Sequence, residues 1–437
     1  MNHELELTVE AMAYGGAALG RHEGRVIFVP YALPGERVRV RLTRQHKRWA
    51  EAELVAVVVP SPERVRARCP HFGSHKCGGC QWQHIDYRAQ LRFKREIVAD
   101  QLHRIGKFEA PSVRDCLGNL ADPWMYRNNV QLHADDEGNL GFINADRNGV
   151  YPIDVCYIMN PAVYELFQQI EMERPDEQTG VADPDRTPDV SPQTGRIGLR
   201  GSVHTGDQMI IVEAEGDEVF TLQSDRLIGV ALRVGGGDEM AATIAISGES
   251  WIEEELGGRR WHISAGSFFQ VNSEMAEQLL AVVRDFASPP TGSERILDVY
   301  AGVGTFGLSL APSAGLVWLV EAHPEAVADA RINASGLQNV EILEGPGERI
   351  LPAWPSDRAR PDLAILDPPR AGCDPPVLQA LIELQVPRIV YVSCDPATLA
   401  RDLRRLADGG YHFDAVQPID LFPQTFHIET VVRLQRG

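Results

Sequence analysis

Cys394 ends the apolar run RIVYVSC (388–394), and Pro396 then opens the helical pattern PATLARDL. A thiol at a strand tip that faces a helix start is a candidate nucleophile, because the positive end of the helix would lower its pKa. A second group lies in LAILDPPR (363–370), where Asp367 ends a strand and Arg370 closes the turn. The third is RILDVYAGVGTFGLSL (295–310), in which Gly302, Gly304 and Gly307 separate a strand from a helix. Glycines there let backbone approach a ligand at the helix N-terminus. Glu321 ends the next strand, where an acid can bind the two hydroxyls of a ribose. NAD and S-adenosylmethionine both carry such a ribose, and the glycine pattern alone does not separate them. Asp298, just before the glycines, would repel a pyrophosphate and suit a charged amino-acid moiety. That favours the methyl donor over an NAD-dependent oxidoreductase.

A thiolate beside a methyl donor suggests one chemistry. C5 of a pyrimidine is a poor nucleophile until sulfur adds at C6 and turns the ring into an enolate. A base must afterwards remove the C5 proton so that the thiol can leave. Enzymes that methylate exocyclic amines carry an aromatic residue after a similar Asp-Pro-Pro turn. Arg370 stands there instead, against that target.

These residues need a scaffold. From about residue 273 helical and strand patterns alternate, which means a parallel sheet covered on both faces. Residues 3–59 form short alternating runs separated by turn signals, the pattern of a small barrel. Between them, 86–106 is helical and ends at Gly106, 124–160 and 196–264 are strand-like, and 173–195 reads as a flexible loop. Cys69, Cys77 and Cys80, with Cys156 far downstream, are enough for either zinc or an iron–sulfur cluster. The single C-x2-C slightly favours a cluster. Cys116 and Cys373 have no partner motif.

The net charge of −19 speaks against a polyanion partner for the chain as a whole. Residues 37–107 nevertheless hold sixteen Lys or Arg against six Asp or Glu, a local footprint for nucleic acid. Arg37, Arg39 and Arg41 alternate with valines and so share one strand face. Arg44, Lys47 and Arg48 extend the patch, and Trp49 offers a surface for stacking on a base. The competing reading is an edge strand protected by charge. No apolar run reaches the roughly 20 residues of a membrane span. The first residues, MNHELELTVEAMAYGG, lack a basic and an apolar signal region, which points to the cytoplasm.

FFQVN (268–272), DVYAGVGTFG, LDPPRAG, VSCDPATLARDL and FPQTFHIETVV (422–432) together resemble, in order, the motifs of the RNA uracil-C5 methyltransferases that use S-adenosylmethionine. The resemblance implies that Cys394 is the nucleophile and that Glu429 is the base acting on C5. It sets the donor against Gln270, Tyr300, Glu321 and Asp367, with Gly302 and Gly304 forming the loop. It implies a [4Fe–4S] cluster on Cys69, Cys77, Cys80 and Cys156. The N-terminal strands resemble a TRAM domain, a five-stranded RNA-binding barrel of OB type. The expected architecture is therefore multidomain: this barrel over 1–60, a small α+β central domain with the cluster over 61–264, and a Rossmann-like, doubly wound α/β methyltransferase domain over 265–437. Helix 86–106 is expected to pack on the last of these. The expected partner is RNA, rRNA before tRNA because relatives with both barrel and cluster mostly act on large-subunit rRNA; no membrane is involved and the protein is a monomer. Pro346 and Thr305 depart from residues common in the family at donor contacts. A cytosine-C5 enzyme would usually carry Pro-Cys where Ser393-Cys394 stands. A protein that only binds RNA would not need Cys394, Glu429 and the glycine loop intact.

Overall fold

The computed structural model describes residues 4–135, 137–170, 172–173, 196–214, 221–222, 228–234, 242–288 and 292–437. The loop expected over 173–195 lies, from 174 onward, outside them. The chain forms two compact units. One comprises Met1–Pro70, Cys80–Pro123 and Glu274–Gly437; the other comprises His71–Gly79 and Trp124–Ser273.

The first unit begins with a closed five-stranded barrel: β1 (Glu4–Met12), β2 (Ala18–His22), β3 (Arg25–Val29), β4 (Arg37–Gln45) and β5 (Trp49–Val59), ordered β1-β2-β3-β5-β4. Strand alternation decides its inside: Leu7, Val9, Val38, Val40 and Ala50 are buried, while Arg37 and Arg39 point out. Helix α1 (Tyr87–Arg104) follows, capped by Asp86, whose side chain accepts the amides of Arg88 and Ala89. Its buried face carries Phe93, Ile97, Val98 and Leu102, and also Lys94. Lys94 Nζ lies 2.5 Å from Asp420 Oδ1, and both side chains are fully buried. The ammonium also donates to the Phe422 carbonyl at 3.2 Å.

The second unit holds β6 (Asn129–Ala134), β7 (Leu140–Ile143), β8 (Val150–Pro152), α2 (Pro161–Gln169), β9 (Met172–Glu173), β10 (Arg196–Gly201), β11 (Gln208–Ala214), β12 (Thr221–Leu222), β13 (Gly229–Val234), β14 (Ala242–Ser247), β15 (Trp251–Leu256) and β16 (Arg259–Ser264). Seven of these make a sheet ordered β14-β13-β11-β10-β6-β7-β8, antiparallel except for β11 with β13. Helix α2 starts at Asn160, which accepts the Val163 amide, and packs Val163 and Leu166 onto Val130, Leu132, Leu199 and Ile210.

The first unit continues with α3 (Ser273–Ala287), β17 (Arg295–Val299), α4 (Thr305–Leu310), β18 (Leu316–Glu321), α5 (Pro324–Asn333), β19 (Val340–Glu344), α6 (Gly347–Ile350), β20 (Leu363–Leu366), α7 (Pro375–Leu384), β21 (Arg388–Ser393), α8 (Pro396–Asp408), β22 (Tyr411–Ile419) and β23 (Glu429–Arg436). The sheet runs β19-β18-β17-β20-β21-β23-β22. Its first five strands are parallel, and β20 is buried along its whole length, as its unbroken apolar run requires. The last two depart from the all-parallel expectation. β22 and β23 form an antiparallel hairpin, and β23 inserts between β22 and β21. A turn between them is too short for the crossover that a parallel pair needs. Among the described residues no helix is long and apolar enough to cross a membrane.

Lys94→Met should cost about 3–5 kcal/mol, because it strands a buried carboxylate. Lys94→Met with Asp420→Asn should recover much of that loss. Urea unfolding of wild type, single and double variants measures both.

Candidate active site

The donor half is built at the carboxyl ends of β17 and β18. Gly302 and Gly304 have φ of +56° and +93°, which side-chain-bearing residues rarely adopt. A Cβ on Gly304 would also stand 2.6 Å from Leu308 Cδ1. Tyr300, between strand and glycines, is itself left-handed at φ +65°. The carboxylate of Glu321 is gripped by backbone: it accepts the amides of Gly302, Ala322 and His323, each at 2.7 Å. That locks one acid across the mouth of the glycine turn, where a ribose would meet it. Asp298 is fully buried; Oδ2 accepts the Gly307 amide at 2.7 Å, and Oδ1 has no hydrogen-bond partner among the described residues. Burial, with Asp367 and Glu321 adding negative charge, pushes its pKa up to about 8.

The reactive half is built on β20, β21 and β23. Ser393 pairs with Thr430 across β21 and β23. The next residues outward, Cys394 and Glu429, therefore reach the same rim from opposite chain directions. Asp367 and Arg370 arrive there from the end of β20. Glu429 is 4% exposed, and its Oε1 has no hydrogen-bond partner among the described residues. Burial and the Asp367 charge hold its pKa well above the usual carboxylate range, with Arg370 opposing. A carboxylate raised in this way is a stronger base than an exposed one. The Arg370 guanidinium lies 3.3 Å from His427 Nδ1.

The thiol of Cys394 is not activated in the way its helix start suggests. Its pKa is pushed up to about 12, first by burial, then by the Glu429 and Asp367 carboxylates, against a smaller opposing effect of Arg370. The helix end is already used: Asp395 caps α8, and its Oδ1 accepts the amides of Ala397 and Thr398 at 2.9 Å each. A capped N-terminus has little left to offer a neighbouring sulfur. Sequence reading also missed Tyr14, from the β1–β2 turn, whose hydroxyl donates to Asp395 Oδ2 at 2.6 Å. No local signal could reveal it across 381 residues of chain.

Of the remaining expected residues, Gln270 belongs to the second unit, buried, with its carbonyl accepting the Asn128 side-chain amide at 2.9 Å. Among the described residues no group of three or more His, Cys, Asp or Glu is drawn together to hold a metal ion, so the four-cysteine set is not seen assembled. Cys77 and Cys156 pack on the core of the second unit. The Cys77-Gly78-Gly79 turn is tied to β7, with the Gly78 amide on the Ile143 carbonyl and the Gly79 amide 3.4 Å from Cys77 Sγ. Cys116 and Cys373 are buried.

On the barrel the three arginines do share a face, but glutamates share it with them. Arg37 lies 3.8 Å from Glu6, Arg39 3.8 Å from Glu4, and Arg41 2.8 Å from Glu4. One face of Trp49 is taken by His46, stacked at 3.8 Å. Arg44, Lys47 and Arg48 are exposed at the β4–β5 turn and form the more open part of the patch.

Residues 248–437 match the family described as tRNA (Uracil-5-)-methyltransferase, and residues 2–55 match the TRAM domain. An uncharacterized RNA methyltransferase of Halalkalibacterium halodurans is 37% identical, over 99% of this chain and 97% of its own. Another, from Thermosynechococcus vestitus, is 36% identical over 98% and 97%. Among solved structures, the Pyrococcus abyssi tRNA (uracil-54, C5)-methyltransferase in complex with S-adenosyl-L-homocysteine is 26% identical, with a TM-score of 0.71 over 98% of this chain and all of its own. The chain belongs to the RNA uracil-C5 methyltransferase family, as an enzyme that uses S-adenosylmethionine.

Proposed function

We propose that the protein methylates C5 of one uridine in large-subunit rRNA through a covalent adduct on Cys394, with Glu429 as the base. The observation that carries the mechanism is the β21–β23 register, which brings thiol and carboxylate to one rim beside Asp367 and Arg370. S-adenosylmethionine, when bound, supplies an electrophilic methyl group on a cationic sulfur. Tyr300, the backbone of Gly302 and Gly304, Glu321 and Asp367 would hold it. Cys394 Sγ adds to uracil C6, and the C5–C6 electron pair becomes available at C5. Once C5 carries both the methyl group and its original proton, Glu429 takes that proton. The double bond re-forms and Cys394 departs as thiolate. The raised pKa of Cys394 means that the resting thiol is kept protonated, so deprotonation belongs to the loaded site, where positive charge offsets the carboxylates. The target base must be flipped out or presented in a loop to reach Cys394.

The RNA class follows from the pairing of a TRAM barrel with the cysteine set, which the resemblance associates mostly with rRNA. A second reading, tRNA, is favoured by the Pyrococcus abyssi neighbour, whose substrate is tRNA. The four thiols have the donor chemistry of a [4Fe–4S] cluster, and we assign Cys69, Cys77, Cys80 and Cys156 to it as a structural element.

With RNA labelled with tritium at uridine C5, wild type should release tritium in a donor-dependent way. Cys394→Ala should lose that release by a thousandfold or more, on the order of a lost covalent route. Running rRNA and tRNA from a strain lacking the gene side by side identifies the class, and release from tRNA alone would overturn the rRNA assignment. Glu429→Gln should accumulate a protein–RNA adduct visible on denaturing gels. In the free enzyme it should also speed iodoacetamide alkylation of Cys394 at about pH 8, because removing the Glu429 carboxylate lowers the thiol pKa. Anaerobically purified protein should absorb near 400 nm and lose this band when Cys77 or Cys80 is replaced. Stoichiometric zinc without iron would sink the cluster.

A further inference from the structure

The tip of the barrel's first hairpin reaches the catalytic rim. Residues 13–17 make a tight turn in which the Ala13 amide meets the Ala17 carbonyl at 2.9 Å, and Gly15 and Gly16 have φ of +97° and +93°. The turn is held from two sides. Trp82, fully buried, donates its indole N–H to the Gly16 carbonyl at 3.0 Å. Phe426, in the segment leading to Glu429, lies where a Gly16 Cβ would stand, 2.9 Å from its Cδ1. Phe426 also meets the Tyr14 ring edge to face at 6.3 Å, and on its other side it meets His427, the partner of Arg370. From this seat the Tyr14 hydroxyl donates to Asp395 Oδ2 at 2.6 Å, while Asp395 Oδ1 caps α8. Both oxygens of the residue after the nucleophile are therefore committed, one to its own helix and one to the barrel.

We propose that Tyr14 is a positioning residue of the methyl-transfer reaction: its hydroxyl fixes Asp395, and through it the Cys394 turn, so the barrel is a working wall of the active site as well as a grip on RNA. This rests on Cys394 being the nucleophile. The groups facing Cys394 are Glu429 from β23, Asp367 and Arg370 from the turn after β20, Asp395 on its own turn, and Tyr14 from the barrel. Four of these five are acids or a neutral hydroxyl, so how the Asp395 charge is directed matters to the thiol. A hydrogen bond from Tyr14 stabilises that charge on the oxygen it contacts. Without it Asp395 opposes the thiolate more strongly, and its carboxyl is left with the α8 cap.

The test is Tyr14→Phe, which keeps the ring against Phe426 and removes only the hydroxyl. Turnover measured by tritium release should fall about tenfold to a hundredfold, the span expected for a lost hydrogen bond to a charged group. KM for RNA and for S-adenosylmethionine should stay within about twofold of wild type, as effects on the chemical step do. A second readout needs no substrate. The pH profile of Cys394 alkylation should move to higher pH in Tyr14→Phe, slowing the reaction roughly threefold at about pH 8. In an Asp395→Asn background, which keeps the helix cap, Tyr14→Phe should shift the profile no further. Unchanged turnover and alkylation in Tyr14→Phe would overturn the proposal, as would a raised RNA KM as the sole effect. Failure of wild type to release tritium would count against the C5 chemistry itself, and the alkylation profile would still decide Tyr14.

Discussion

Acids buried with too few opposing cations set the terms for the catalytic half of this protein. Asp298, Asp367 and Glu429 lie toward one rim of the sheet, at the carboxyl ends of β17 and β20 and the amino end of β23, and burial raises the pKa of each. Arg370 is the cation that opposes them at Cys394 and Glu429. Such an arrangement stores unfavourable electrostatics in the resting protein and gives it back when positive charge enters. A cationic methyl donor suits that place better than a neutral or anionic ligand would. The same crowding, added to burial, pushes the pKa of the Cys394 thiol up.

Support for this rim comes from far away in the chain. The buried Lys94–Asp420 pair fixes the start of the segment that runs into β23, and Gln90 holds the Gln424 amide and side chain within it. Both Lys94 and Gln90 sit on α1, so one helix places the loop that leads to Glu429. An ion pair of this kind is expensive to bury, and its better-attested value lies in selecting one arrangement rather than in adding stability. Here the arrangement selected is the approach of 420–428 to the strand that carries Glu429.

What sequence reading could reach follows the range of the interactions involved. The run 388–403 reads correctly as strand, turn and helix, and the glycine turn and DPPR turn fall where their local patterns put them, because each is decided by residues within one element. The barrel was legible through strand alternation. Cross-strand effects were not. The arginine stripe of β4 is matched by Glu4 and Glu6 of β1, which only pairing register reveals. Glu429 looks like an ordinary edge charge until β23 is seen lying inside the sheet. The thiol pKa was read in the wrong direction because a helix start is visible in the sequence, whereas the carboxylates that outweigh it come from other strands. Tyr14 belongs to the same class, a long-range contact with no local trace.

The insertion of β23 next to β21 has one more consequence. Cys394 and Glu429, the proposed nucleophile and base, meet because a ladder holds Ser393 against Thr430, so their separation is quantised by strand register and cannot be adjusted by degrees. A slip of one residue would turn Glu429 to the opposite face of the sheet. Loops elsewhere can lengthen gradually as a lineage changes its RNA, but a single-residue insertion or deletion within Glu429–Arg436 is all-or-nothing for the chemistry. Variation in this protein is therefore expected to be graded around the barrel and discrete along the last strand.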